Sequence, residues 1–270
     1  MAELKIGVST IAAGVGALEW HTEILADRVS VDTLTHALIA AVDGALTGHG
    51  FHRLEVSLRA SDQPARRAVL RAGFRQEGTR RQAHTGEDGS FEDVIIFARL
   101  ISDVTTGTSA FSAVMNSVLP RKRLIAHVLM RADRDRFVLC QTTFKTDWEL
   151  PGGIVELGES ARSGAVREVK EELGVDHQIG PLLIADWLPP YLGWDDAVEL
   201  IFDGGTVTTD DLDRFTLDGH EISAVRLVTL AEAEQLVTGL SHRRLTVAMA
   251  LQPGTVAYLE DGRSVPGMVG

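Results

Sequence analysis

Residues 167–173 read REVKEEL, which sets Glu168, Glu171 and Glu172 at spacings i, i+3 and i+4. On a helix turning about 100° per residue, those three carboxylates share one face. Carboxylate oxygens are hard ligands that suit Mg²⁺ or Mn²⁺, ions that keep waters and bridge to substrate phosphates. Upstream, Gly152 and Gly153 free the backbone to approach that acidic face and to bring Glu159 beside it. The crowding is affordable in this setting. Two carboxylates 5 Å apart repel by about 3 kcal/mol at an effective dielectric of 20. On an exposed helix such pairs cost only about 0.2–0.5 kcal/mol. An acidic helix face taken alone is therefore also a solvated surface, and a wider pattern has to decide.

The wider pattern exists. Gly153 is followed after five residues by Glu159, and after seven more by Arg167-Glu168-Val169. Glu171-Glu172, Leu173 and Gly174-Val175 complete it. With average residue usage, nine such constraints match by chance with a probability of about 10⁻⁷ over this length. These residues resemble the Nudix box with every fixed position filled. The resemblance covers roughly residues 120–262 and implies an α/β fold, an α/β/α sandwich around a mixed sheet. It implies a metal-dependent hydrolase that cleaves a nucleoside diphosphate linked to another moiety, a small phosphorylated substrate. By the resemblance Glu168, Glu171 and Glu172 would ligate Mg²⁺ or Mn²⁺, with Glu159 an additional or outer ligand. Arg167 would orient a carboxylate, and water would attack phosphorus. Glu172 is the first choice for general base. Glu221, within Gly219-His220-Glu221, is the alternative on a later loop, or else a surface carboxylate.

The substrate's flanking groups call for aromatic or polar walls. Residues 187–196, WLPPYLGWDD, hold Trp187, Tyr191 and Trp194, and Trp148 precedes the glycines. Such rings stack on bases or wall an apolar pocket. They also fill cores and anchor interfaces. Asp195, Asp196 and Glu199 offer further ligation or a solvated turn, and residues 210–218 read as a solvated acidic loop. Cys140, the sole cysteine, sits in a strand-like stretch, poorly placed for diphosphate isomerase chemistry and unable to form an intrachain disulfide.

Several elements must position these groups. Val166, Val169 and Leu173 give the acidic helix a packing face, Ser160 suits its N-cap and Gly174 its end. Residues 124–130 and 136–141 read as strands across a polar turn at 132–135. Residues 182–188 and 197–202 read as strands, and 230–237 as a helix. Toward the N-terminus, residues 6–18 are mostly apolar behind Lys5. Glu3 and three glycines favour two strands about a Gly14-Val15-Gly16 turn, the second reaching Leu25, over a signal peptide. Leu34, Leu38, Ala41, Val42 and Ala45 predict a helix ending near Gly48. Leu54, Val56 and Leu58 predict a strand, residues 66–71 a helix, and 94–98 a strand.

Charge and composition divide the chain. Of 26 Lys+Arg and 38 Asp+Glu, residues 1–101 carry 11 and 13, and residues 102–270 carry 15 and 25. The net charge of −12 thus splits into −2 and −10. Residues 102–119, rich in Ser and Thr, read as a linker between domains at 1–101 and 120–270. The hydrophobic and charged fractions, 44 % and 24 %, exclude wholesale disorder, and no apolar run is long enough to span a membrane. So acidic a chain repels a nucleic-acid polymer. With one cysteine and no spanning segment, it reads as cytoplasmic.

Residues 52–100 resemble the C-terminal half of a GNAT acetyltransferase, through Arg66-Arg67, Ala72-Gly73-Phe74, Glu77-Gly78 and the last strand. The resemblance implies a small, truncated α+β domain. The family's phosphate-binding turn corresponds to residues 26–32, which hold no glycine, and its cofactor-contacting Asn and Ser correspond to Asp62 and Ala65. No acetyl-CoA binding is expected of it. Scaffolding or pairing into a homodimer across an uncovered sheet edge is expected instead. Two other readings stay open: a catalytically silent nucleotide-sensing module, and a bifunctional protein that retains acetyltransferase activity.

Overall fold

Buried positions alternate where the chain is extended and recur every three or four residues where it is helical. The computed structural model describes residues 4–20, 29–133, 135–217 and 219–265. It divides into two units, Met1–Pro120 and Arg121–Gly270.

The first unit runs β1 (Gly7–Ala12), β2 (Val15–Glu19), α1 (Val31–Gly48), β3 (Arg53–Arg59), α2 (Gln63–Arg71), β4 (Arg75–Thr85), β5 (Phe91–Leu100) and α3 (Gly107–Val118). Its sheet has the order β1-β2-β3-β5-β4. Ser30 caps α1 by accepting the Thr33 N–H at 3.1 Å. Leu34, Leu38, Val42 and Ala45 of α1 share a core with Leu54, Val56 and Leu58 of β3. The first hairpin turns at Ala13-Gly14, and Gly16, expected in the turn, lies in β2. Residues 21–25 of the expected second strand, and 26–28 of the expected phosphate turn, lie outside the described residues. Helix α2 begins three residues earlier than its apolar spacing suggested, because Asp62 caps it through the Ala65 N–H at 3.1 Å.

Two elements of this unit were not anticipated. Strand β4 is an edge strand, polar along its length, so it carries no alternating apolar signal. Residues 102–119, expected to be a linker, contain α3. That helix is tied to the sheet where Ser117 Oγ accepts the Gln76 N–H at 3.0 Å.

The second unit runs β6 (Arg123–Arg131), β7 (Arg136–Thr142), β8 (Trp148–Glu149), β9 (Gly152–Ile154), α4 (Ala161–Leu173), β10 (Leu182–Leu188), β11 (Ala197–Thr206), α5 (Thr209–Leu212), β12 (Ile222–Thr229), α6 (Leu230–Ala233), α7 (Gly239–Ala250), β13 (Ala257–Glu260) and β14 (Arg263–Ser264). Its nine-stranded sheet has the order β12-β7-β6-β11-β10-β13-β14, with β8 paired to β7 and β9 to β6. The sheet is mixed, since β6–β11 and β10–β13 are parallel and the other pairs antiparallel.

Alternation sends successive strand residues to opposite layers. Ala126, Val128, Met130, Val138 and Cys140 pack with Ala165, Val169 and Leu173 of α4. Leu129, Leu139, Ile184 and Ile201 pack with Ala233 of α6 and with Leu245 and Ala248 of α7. One sheet between two helical layers is the α/β/α arrangement. The glycines read as a loop at 151–153 instead form β9, and the helix expected over 230–237 is only the single turn α6. Among the described residues no helix is long and apolar enough to cross a membrane.

Candidate active site

Helix α4 is held at both ends by local chemistry. Ser160 Oγ accepts the Ser163 N–H at 3.2 Å. At the other end Gly174 takes a left-handed φ of +69°, its N–H donating to Lys170 O at 3.0 Å. A side chain at Gly174 would strike the Thr216 carbonyl at 2.8 Å, so glycine serves both the turn and the packing there.

On this helix the glutamates do not share one environment. Arg167 gathers two of them, together with Glu159 from the loop before the helix. Its Nε and one terminal nitrogen each donate to Glu159 at 3.1 Å. Its other terminal nitrogen reaches Glu168 at 2.9 Å and Glu171 at 2.8 Å. A further bond to Ile154 O at 3.1 Å anchors the guanidinium to β9. The Glu159 hydrogen bonds, ahead of those from Glu171 and Glu168, raise the Arg167 pKa. Glu159 is correspondingly held below the usual carboxylate range by Arg167. Arg167 thus bonds to both Glu168 and Glu171 of α4 and gives Glu159 a partner on the helix.

Glu172 stands apart. It is only 6 % exposed and accepts the Gly152 N–H at 2.8 Å. Burial pushes its pKa to about 8, despite that hydrogen bond and the nearby His127, and the charges of Glu168 and Glu221 add to the rise. Glu168 is also pushed up, chiefly by burial, with Glu171 and Glu221 contributing. Glu221 therefore lies within electrostatic reach of both. It sits just before β12, its carbonyl accepting the Thr143 N–H at 2.8 Å. Glu171 by contrast is largely open to solvent.

Gly152 and Gly153 serve this arrangement structurally. Gly152 has φ +130°, and a Cβ there would lie 2.2 Å from Ala126 O and 2.7 Å from His127 Cα. A Cβ at Gly153 would lie 2.9 Å from the Glu168 carboxyl carbon. Only glycine lets β9 run between β6 and α4 at this separation. The Gly152 N–H donates to Glu172 at 2.8 Å.

The donor set fits a hard divalent cation, because desolvated carboxylates that push one another's pKa upward gain from a positive charge among them. In this conformation, among the described residues, no three His, Cys, Asp or Glu side chains converge on one metal position. Arg167 occupies Glu159, Glu168 and Glu171, while Glu172 turns toward the sheet.

The aromatic segment spans the end of β10 and the turn that follows it. Tyr191 and Trp194 bridge each other in an exposed turn at the β6 N-terminal end, with the Arg123 guanidinium 4.4 Å above the Trp194 ring. Trp187, half-buried in β10, donates its indole N–H to Asp196 at 3.2 Å, and Lys122 also pairs with Asp196. The Asp195 carbonyl accepts from Arg123 at 2.6 Å. Trp148 is a core residue, and Cys140 is buried in β7, its thiol pushed well up by burial.

Sequence reasoning missed one constellation entirely. On the α7 face, Arg244 Nε donates to Asp186 at 2.8 Å, and another Arg244 nitrogen pairs with Glu199. Glu199 Oε1 lies 2.9 Å from His127 Nδ1. All four residues are buried, and His127, Glu199 and Arg244 line a small cleft with Glu149, Leu139 and Ser241. Burial alone would push Glu199 up, yet the Arg244 and His127 charges outweigh it and hold Glu199 at about 2. Glu199 thus lies buried in β11, paired with Arg244, and not in a solvated turn. The available signal was a charge inside an apolar strand pattern, Asp186 beside Ile184 and Glu199 between Ala197 and Ile201.

Comparison with known proteins bears on the second unit. Residues 121–248 match the family model described as NUDIX domain. A MutT-like protein of Streptomyces ambofaciens is 38 % identical over 58 residues, 22 % of this chain and 37 % of that protein. An RNA pyrophosphohydrolase of Roseobacter denitrificans is 34 % identical over 80 residues, 28 % of this chain and 50 % of that protein. The chain therefore spans half or less of the length of these relatives. A solved MutT protein from Methanosarcina mazei Go1 is 27 % identical, covering 42 % of this chain and 82 % of that one, with a TM-score of 0.36.

Proposed function

With residues 121–248 established as a NUDIX domain, we propose that this unit hydrolyses a diphosphate linkage in a nucleotide-type substrate. The observation that carries the proposal is the pair Glu168 and Glu172, both desolvated and both pushed upward in pKa, beside an arginine that holds the remaining box glutamates. Glu168, Glu171 and Glu172, with Glu159 outside them, would hold Mg²⁺ or Mn²⁺. Bound there, the cation would polarise the diphosphate and lower the pKa of an attacking water.

The chain's own residues do the rest. Arg167 fixes Glu168 and Glu171 in place and keeps Glu159 ionised. Glu172 has a pKa of about 8, near the working pH, which suits a group that takes a proton from water. The Gly152 N–H fixes which way its carboxylate points. Glu221 is the second candidate base, supported by its electrostatic reach to both Glu168 and Glu172. Trp187, Tyr191 and Trp194 form a second recognition surface for the groups flanking the diphosphate, supported by the exposure of Tyr191 and Trp194.

The remainder of the chain completes the proposal. A hydrolase domain at 120–270 is fused to a partial GNAT-like domain at 1–101, which acts as a scaffold or pairs two copies. The protein works in the cytoplasm on small phosphorylated molecules. Phosphate release from a panel of nucleotides in Mg²⁺, compared with Glu171→Gln and Glu172→Gln, tests the catalytic reading. Full turnover in both variants would overturn it. A second reading is nucleotide binding without turnover. Tight nucleotide binding with no phosphate release would select it.

A further inference from the structure

We propose that the buried ion network on the α7 face is a positioning device for Glu172 on the α4 face, acting through His127 and Gly152. The inference rests on the hydrolase reading above. Four contacts form the path. Arg244 clamps Glu199 and Asp186, and Asp186 also accepts the Gly262 N–H at 3.1 Å, which ties α7 to the turn between β13 and β14. Glu199 Oε1 meets His127 Nδ1 at 2.9 Å and sets the plane of the imidazole. His127 stands opposite Gly152 in the β6–β9 ladder. Gly152 then donates its N–H to Glu172 at 2.8 Å on the other face of the sheet.

The step from His127 to Gly152 is the decisive one. At φ +130°, Gly152 has a conformation that no side chain enforces, so its amide direction depends on neighbouring atoms. Those atoms are Ala126 O and the His127 Cα and ring Cδ2, which stand 2.2, 2.7 and 3.0 Å from where its Cβ would be. A ring locked by Glu199 therefore forms the wall against which the Gly152 amide is aimed. Stability does not account for the network, because well-packed apolar side chains replace buried ion pairs at little cost or with a gain. Leu139, Ile201 and Leu245 already supply apolar packing at the same place. What the fixed network adds is orientation, transmitted to the Glu172 carboxylate through the Gly152 N–H.

The test uses the full chain labelled with ²H and ¹⁵N, and reads the Gly152 amide resonance together with Mn²⁺ affinity, metal alone. His127→Phe removes the Glu199 contact while leaving Glu199 its Arg244 partner. It should move the Gly152 amide upfield and weaken Mn²⁺ binding by about tenfold, the lower end for losing a partner that orients a ligand. His127→Asn keeps a donor near the Nδ1 position and should restore both. Val228→Ala, a cavity in the same apolar cluster, should lower Tm and leave both readouts at their wild-type values. A wild-type amide and affinity in His127→Phe would overturn the proposal, as would equal changes in Val228→Ala. If the wild-type protein binds no Mn²⁺, the hydrolase reading fails by itself, and the amide comparison alone decides the positioning role.

Discussion

Glu172 and Glu199 are both buried glutamates of one sheet unit, yet one titrates at about 8 and the other at about 2. Both lose hydration, and in each that loss is the largest single influence. The difference lies in the company. Glu199 meets Arg244 and His127, with Asp186 completing a balanced set. Glu172 meets a backbone amide, the charge of His127 and two further carboxylates, while the guanidinium of its own helix, Arg167, is taken by Glu159, Glu168 and Glu171. The α7 face is a finished electrostatic structure. The α4 face is short of positive charge, and that shortage is what a cation-using site requires.

The sharpest way to test the contrast is to neutralise each glutamate's side of it. Glu172→Gln preserves an oxygen for the Gly152 N–H and removes the titrating carboxyl. Turnover of a substrate found in the nucleotide panel should fall by roughly 10²–10⁴-fold, the scale of losing a placed proton acceptor. Without metal the same variant should melt higher than wild type above pH 8, where Glu172 is ionised without compensation. A lower Tm at that pH would mean the carboxylate stabilises the fold, and the contrast between the faces would collapse.

Arg244→Met makes the opposite intervention. It leaves Asp186 and Glu199 buried without their shared cation, a change that costs about 3 kcal/mol or more. Chemical denaturation should show a loss of that order. Arg167→Met, at a half-exposed position, should cost less stability and chiefly reduce turnover. If the two arginines had equal effects on stability, the finished and unfinished faces would not differ as described.

These two faces were also unequally legible in the sequence. Helix α4, with Ser160 and Gly174 at its ends and its glutamates at helical spacing, depends on contacts within about four residues, so the sequence carries them openly. The His127–Glu199 and Arg244–Asp186 contacts join residues 72 and 58 positions apart, and only folding the sheet brings them together. Strand β9 was hidden for a related reason. Two glycines read as loop chemistry, but here they allow close approach to β6 and to Glu168. Strand β4 and helix α7 lack the apolar period that marks a buried face. One is a polar edge, and the other carries the charged pair Arg243-Arg244 mid-helix.

A divalent cation should erase part of the contrast. With the metal held as proposed, protons and metal would compete for Glu172, whose pKa is pushed up to about 8, so Mg²⁺ should stabilise the protein more at pH 8.5 than at pH 5.5. At a hundredfold excess over its dissociation constant, a ligand of the native state adds about 2.7 kcal/mol. EDTA should remove that gain at pH 8.5 and change little at pH 5.5. An equal effect of EDTA at both pH values would place the metal away from Glu172.

The smallest expected effect isolates His127. Burial opposes its charged form, but the Glu199 charge and hydrogen bond prevail and hold its pKa above the ordinary 6.5. A raised histidine contributes stability that is complete below pH 6.5 and is lost as pH rises through the folded-state value. Glu199, held at about 2, contributes above about pH 4.5 and loses its contribution as pH falls toward 2. The network is therefore at full strength between about pH 4.5 and 6.5. Glu172 also loses a proton as pH rises toward 8, so the comparison belongs in a Glu172→Gln background. There, unfolding free energy should fall with pH above 6.5 by at most about 1.4 kcal/mol per pH unit, the limit for one proton. Adding His127→Asn should flatten that slope while leaving the acid limb below pH 4.5 in place. Parallel curves for the two proteins would show that His127 carries no charge in the folded state, and the α7 face would then hold a net negative charge of its own.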